Sequence, residues 1–204
     1  MLTQVKTFAS AVPLALALFF AYPAAAASDE KGYAAGEMAL GSAEAPVTII
    51  EYASMTCPHC ATFHRETYKG LKQKYVDTGK VRFIFREFPL DGLALRAAML
   101  ARCSGEDRFF PMLDVLFSQQ RSWSRAESPM LALAKIARLG GVSQERFDAC
   151  MADDSLANLV LQNRMVGEQE HKVASTPSFI VNGDLYAGHH SLEQFDEILG
   201  KYLP

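Results

Sequence analysis

Tyr52-Ala53-Ser54-Met55-Thr56-Cys57-Pro58-His59-Cys60-Ala61 decides the fold: an apolar strand runs directly into two cysteines spaced two apart. Upstream, Val47-Thr48-Ile49-Ile50-Glu51-Tyr52 has the β-branched make-up of a buried strand, and downstream Ala61 to Val76 continues as a helix. Cys57 therefore falls in the first turn of that helix, where unpaired backbone N–H groups and the macrodipole favour an anion. Pro58 suits the first helical position, because the N–H it lacks has no partner there anyway. His59 can add positive charge or a hydrogen bond beside the sulfur. Cys60, three residues on and on the same helical face, is within reach for a disulfide. Since the thiolate is the reactive form of cysteine, the segment reads as a thiol–disulfide exchange site. Two other uses of such a pair stay open, half of a zinc site and an inert staple. Zinc asks for four ligands, and Cys103 and Cys150 supply no second close pair.

The chain opens like a secretory leader. One basic residue, Lys6, precedes an apolar run from Phe8 to Tyr22 broken only by Ser10 and Pro13, and Pro23-Ala24-Ala25-Ala26-Ala27 offers small residues for cleavage. The expected division is a signal peptide at 1–27, a flexible lead-in at 28–45 and a domain at 46–203. The run is short for a membrane anchor, and the lead-in is short for a dimerisation domain. Lys6 is the only charge in the leader, so its removal takes the net charge from −3 to −4. That balance gives no support to nucleic-acid binding. Four cysteines in an exported chain belong in an oxidising compartment.

Past the first helix, Gly79 is a stop and Val81 to Phe88 a second strand, so the strand–helix–strand unit predicts parallel pairing. Pro89 to Lys172 then changes character. Helical segments are expected at Leu93–Cys103, Phe109–Gln119, Pro129–Leu139, Gln144–Met151 and Leu156–Lys172, an insertion over about 90–172. Ser178-Phe179-Ile180-Val181 and Leu185-Tyr186-Ala187 flank Asn182-Gly183-Asp184, a hairpin signal because Asn and Gly tolerate positive φ. Ser191-Leu192-Glu193-Gln194 fits a capping box that opens a last helix reaching about Tyr202. The fold class is α/β, a mixed sheet interrupted by a helical block.

A strand, CxxC at the next helix start, and Thr176-Pro177 just before an antiparallel hairpin resemble the thioredoxin fold. Cys-Pro-His-Cys combined with a long helical insertion resembles the DsbA-type thiol oxidases of the bacterial envelope. The resemblance implies a thioredoxin fold with an inserted helical subdomain. Cys57 would be the exposed nucleophile and Cys60 its less accessible partner, with His59 stabilising the Cys57 thiolate. Pro177 would be a cis-proline facing the disulfide, and Thr176 would offer its backbone to an extended substrate. Glu51 matches a buried acid that exchanges the Cys60 proton in this family; the alternative is an exposed strand-end charge. Cys103 and Cys150 match an additional structural disulfide carried by some relatives, the alternative being two buried thiols.

The implied activity is donation of the Cys57–Cys60 disulfide to reduced exported proteins in the periplasm, by a monomer. A DsbB-like membrane partner would reoxidise the pair. Neither a metal nor an organic cofactor is expected, since two sulfurs carry both electrons. Thr176 departs from the Val of the best-known oxidases and is similar to isomerases and reductases, so a periplasmic thiol reductase or isomerase is the second reading. A carrier of copper or zinc through Cys57, Cys60 and a histidine is the reading from another class. His189-His190 is expected in a solvated loop, with His64 and His171 on helix surfaces or hydrogen-bonded.

Overall fold

The strand ahead of the cysteines, β2 (Val47–Ala53), is central in the sheet, and most of its side chains are buried because helices cover the sheet. In a computed structural model of the chain, residues 33–203 are described; the leader expected at 1–27 and the start of the lead-in, 28–32, lie outside the described residues. β2 pairs in parallel with β3 (Val81–Glu87), setting Ile49 beside Phe83 and Glu51 beside Phe85. On its other side it pairs antiparallel with β4 (Ser178–Val181). An edge strand, β5 (Asp184–Ala187), follows β4. Asn182 and Gly183 make the turn at φ 47° and 100°, and Asn182 Oδ1 accepts the Thr48 N–H at 2.8 Å, which ties the hairpin to β2.

The fifth strand departs from expectation. Met38–Leu40, within the stretch read as a loose lead-in, forms β1 and pairs antiparallel with β3, giving the order β1-β3-β2-β4-β5. The cause lies across the molecule. Buried Arg102 donates to the carbonyls of Ala34 (2.7 Å) and Gly36 (3.0 Å) while its Nε and Nη2 hold Glu87 at 2.5 and 3.0 Å. Asn163 donates to the same carboxylate at 2.6 Å. Tyr33, Ala34 and Met38 are buried as a result.

Among the described residues, eight helices accompany the sheet. α1 is a continuous helix over 58–76, α-helical at Pro58–Phe63 and Lys69–Leu71 and widened to π geometry at His64–Tyr68 and Lys72–Val76. The insertion holds α2 (Gly92–Cys103), α3 (Glu106–Ser118), α4 (Gln120–Ser124), α5 (Pro129–Leu139), α6 (Gln144–Met151) and α7 (Asp154–Gln169), and α8 (Leu192–Leu199) closes the fold. The expected capping box is formed: Gln194 N–H donates to Ser191 Oγ at 3.3 Å and Ser191 N–H to Gln194 Oε1 at 2.9 Å. Phe63 of α1, Phe83 and Phe85 of β3, Phe117 of α3, Phe179 of β4 and Phe195 of α8 share one core, each contributing roughly 1.5–3 kcal/mol through burial. That core is the platform on which the start of α1 rests. Cys103 and Cys150 form a disulfide from α2 to α6, with Cα atoms 6.3 Å apart.

Candidate active site

Cys57 is the N-cap of α1, with extended φ −74° and ψ 120°, and Pro58 follows at the first turn. Its backbone is fixed on both sides: the Cys57 N–H donates to Ser54 O at 3.1 Å and the Ala61 N–H to Cys57 O at 3.2 Å. The pair is in the dithiol state. Cys57, expected to be exposed, keeps only 6% of its surface, and Cys60 keeps none. Cys57 is thus the more accessible of the two sulfurs, though it sits in a shallow recess. One wall is Thr176, whose carbonyl accepts the Cys57 thiol at 3.2 Å. The Thr176–Pro177 peptide is cis, and both residues lead into β4.

These neighbours set opposite acidities for the two sulfurs. Cys57 is lowered from 9.0 to about 5, chiefly by the hydrogen bond from the Cys60 thiol, with further help from Thr176 and the backbone N–H groups of Cys60 and His59. Burial opposes that shift and is outweighed. Cys60 is pushed well up by burial, by its bond to Cys57, and by the charges of Cys57 and Glu51. One sulfur is thus a thiolate at neutral pH and the other keeps its proton. His59 takes part through its main chain; its ring is exposed and makes no side-chain hydrogen bond among the described residues. The Thr176 hydroxyl is buried without a hydrogen-bond partner, and it counts among the groups that favour the thiolate. Ionisation turns the sulfur from a donor into an acceptor, which is what an idle hydroxyl can serve.

Glu51 lies on β2 beneath this pair and is fully buried, so the exposed strand-end alternative is set aside. Its partner is His64, whose Nε2 is 3.0 and 3.2 Å from the two carboxylate oxygens. Of the two settings expected for His64, helix surface or hydrogen-bonded, the second is found: it is buried, bonded through Nε2, and its ring stacks on Phe117 at 4.1 Å. His171 is half-buried against Tyr52, with ring centroids 5.7 Å apart. The expected solvated loop at His189-His190 is also half-buried: the His190 ring packs against Phe179 and Phe195 at 6.1 and 5.9 Å.

Gln120, which carried no signal in the sequence, turns out to hold the active-site loop. From α4 its Nε2 donates to the carbonyls of Met55 (2.8 Å) and Cys57 (2.9 Å), and it is buried. Ser54 and Thr56 brace the same loop, Thr56 Oγ1 donating to Asp91 Oδ2 at 2.7 Å at the start of α2. Among the described residues no group of three or more His, Cys, Asp or Glu is arranged to hold a metal.

A recessed thiolate at a helix start, a protonated partner one turn on and a cis-proline opposite define a redox site of the thioredoxin kind. The family model described as Thioredoxin matches residues 34–201. A Rickettsia bellii protein named as a protein-disulfide oxidoreductase is 38% identical over 148 residues, or 72% of this chain; the chain spans 57% of that protein's length. Among solved structures, alpha-DsbA1 of Wolbachia pipientis is 31% identical with a TM-score of 0.76, covering 82% of this chain and 90% of that one. A protein-disulfide isomerase from Novosphingobium aromaticivorans is 26% identical with a TM-score of 0.71, covering 82% and 97%. The chain belongs to the thioredoxin family, in its DsbA-type branch.

Proposed function

We propose that this chain is a protein thiol:disulfide oxidoreductase that donates the Cys57–Cys60 disulfide to reduced exported proteins. The observation that carries the reading is the divided acidity of the two sulfurs, one lowered to about 5 and its neighbour raised. A substrate thiolate attacks the Cys57 sulfur of the oxidised protein, and Cys60 leaves and takes up a proton. The mixed disulfide lies beside Thr176-Pro177, where the Thr176 carbonyl, no longer engaged by a Cys57 thiol, is available to an extended substrate chain. A second substrate thiolate then attacks the substrate sulfur, releasing oxidised substrate and the Cys57 thiolate. The stable thiolate makes Cys57 a good leaving group, which drives this second step. Glu51 supplies the proton to Cys60 and takes it back on reoxidation.

The setting follows from the same reading: export through a cleaved leader at 1–27, work in the periplasm as a monomer, and reoxidation by a DsbB-like membrane protein. Among the described residues no helix is long and apolar enough to cross a membrane. The Thr176 hydroxyl favours a second reading, a reductase or isomerase in which the pair works from the dithiol state. A metal-handling role has less support, because no third ligand converges on Cys57 and Cys60 among the described residues.

The test is the equilibrium of Cys57–Cys60 with glutathione in the mature protein, alongside disulfide transfer to a reduced two-cysteine substrate. A pair more oxidising than glutathione, with transfer abolished in Cys57→Ala, is the expected result. A pair more reducing than glutathione would move the assignment to the second reading.

A further inference from the structure

His64 sits between the buried acid and the outside of the molecule. Its Nε2 contacts both oxygens of Glu51, and its Nδ1 is buried with no hydrogen-bond partner. The side chain is 2% exposed. His64 also helps line a cleft of about 460 Å³ shared with Arg65, Tyr68, Lys69, Lys72 and Asp114, a lining that includes neither cysteine. A cleft of that size holds water, and these polar groups give water partners. Glu51 itself is fully buried, so a proton it exchanges with Cys60 needs a further stop before solvent.

We propose that His64 carries protons between Glu51 and the water of this cleft, as the outer station of a route that begins at Cys60. The proposal rests on the proton role assigned to Glu51 above. When substrate displaces Cys60, water delivers a proton to Nδ1, Nε2–H passes one to Glu51, and Glu51 passes one to the Cys60 thiolate. The ring is left as the Nδ1–H tautomer. When the pair is reoxidised, Cys60 returns its proton to Glu51, Glu51 returns one to Nε2, and Nδ1–H is lost to the cleft. The ring is then the Nε2–H tautomer again. One proton enters and one leaves per cycle, so an imidazole with two distinct nitrogens resets without turning over in its packed slot.

The charged and titratable groups around the ring come from three elements. Glu51 faces it from β2, and Asp114 shares the cleft from α3. On α1 itself are Tyr68, whose hydroxyl burial pushes well up, and the cations of Arg65, Lys69 and Lys72. Asp114, which also lines the cleft, is raised by partial burial.

The test uses the mature protein with His64→Gln, which keeps an amide donor to Glu51 but carries no proton, and His64→Ala, which leaves a ring-sized gap. Reduction of each oxidised protein by a dithiol is followed by acid quenching across pH 5 to 9. In wild type and both variants, the thiolate absorbance of Cys57 and the far-ultraviolet spectrum serve as controls. His64→Gln is expected to slow exchange by about tenfold, below the roughly hundredfold and larger effects of removing a directly acting acid or base. Added imidazole is expected to restore His64→Ala in proportion to its concentration, which a structural role for the ring does not produce. Wild-type rates in His64→Gln at every pH, with Glu51→Gln slow, overturn the His64 route and leave the Glu51 role standing. Wild-type rates in both His64→Gln and Glu51→Gln remove the Glu51 role as well. Should His64→Ala fail to fold, the rate of His64→Gln decides alone.

Discussion

Acidifying the reduced protein should unload the Cys57 thiolate and cost a definite amount of stability. The sulfur titrates at about 5 in the fold and at 9.0 when unconstrained. The folded value is the lower of the two, so the contribution is complete above pH 9 and disappears as the pH falls through 5. At about 1.4 kcal/mol per pH unit, the full gap is worth about 5 kcal/mol, of which about 3 kcal/mol is present at pH 7. The oxidised protein and a Cys57→Ala variant lack the ionisable thiol and with it this slope. Urea unfolding of reduced wild type and reduced Cys57→Ala, at steps from pH 5 to 8, isolates the difference. It should grow by about 1.4 kcal/mol per pH unit over that range. By the same cycle, about 3 kcal/mol corresponds to a pair about 60 mV more oxidising in the fold than in the unfolded chain at pH 7. A difference that stays flat from pH 5 to 8, or a thiolate absorbance with its midpoint near 9, would refute the assignment of Cys57 as the stabilised anion.

Three further outcomes follow from named contacts. Gln120→Leu takes the donor from the buried Met55 carbonyl and leaves the Cys57 carbonyl only the Ala61 N–H, which should cost about 1–3 kcal/mol in urea unfolding and raise the hydrogen-exchange rate of the Ser54–Cys57 turn. Arg102→Leu leaves Glu87 buried without its cation and should destabilise by about 3–5 kcal/mol, whereas replacing Arg102, Glu87 and Asn163 together by apolar residues should cost much less. Removing the Cys103–Cys150 bridge as a double alanine variant reopens a loop with a sequence separation of 47, worth about 4 kcal/mol by loop entropy; redox exchange at Cys57 should persist in the folded fraction.

The order of elements was legible because each carries its own local signal. Pro58, the Asn182-Gly183 turn and the Ser191–Gln194 box act within a few residues, so each feature reads directly from the chain. β1 was not legible, since three residues of an Ala- and Gly-rich stretch become a strand only through Arg102 and the edge of β3. The same holds at the site. Cys57 and Cys60 announce themselves by spacing, but the recess around Cys57 depends on Thr176, which is 119 positions away in sequence. His64 looked like an ordinary helix residue because its partner Glu51 lies on another element, 13 positions earlier. Gln120 had no pattern to find: a lone amide gains meaning only when two distant carbonyls converge on it.

That amide also changes what the helical insertion is for. Both carbonyls it grips belong to the turn that aims the reactive sulfur, so the bearing of Cys57 is set partly from outside the minimal thioredoxin core. A force applied to α4, by a docking protein or by drift in the loops around it, is transmitted to the Cys57 turn through two bonds. The insertion is thereby a lever on reactivity, and the chemistry can be retuned without altering a single letter of Cys-Pro-His-Cys.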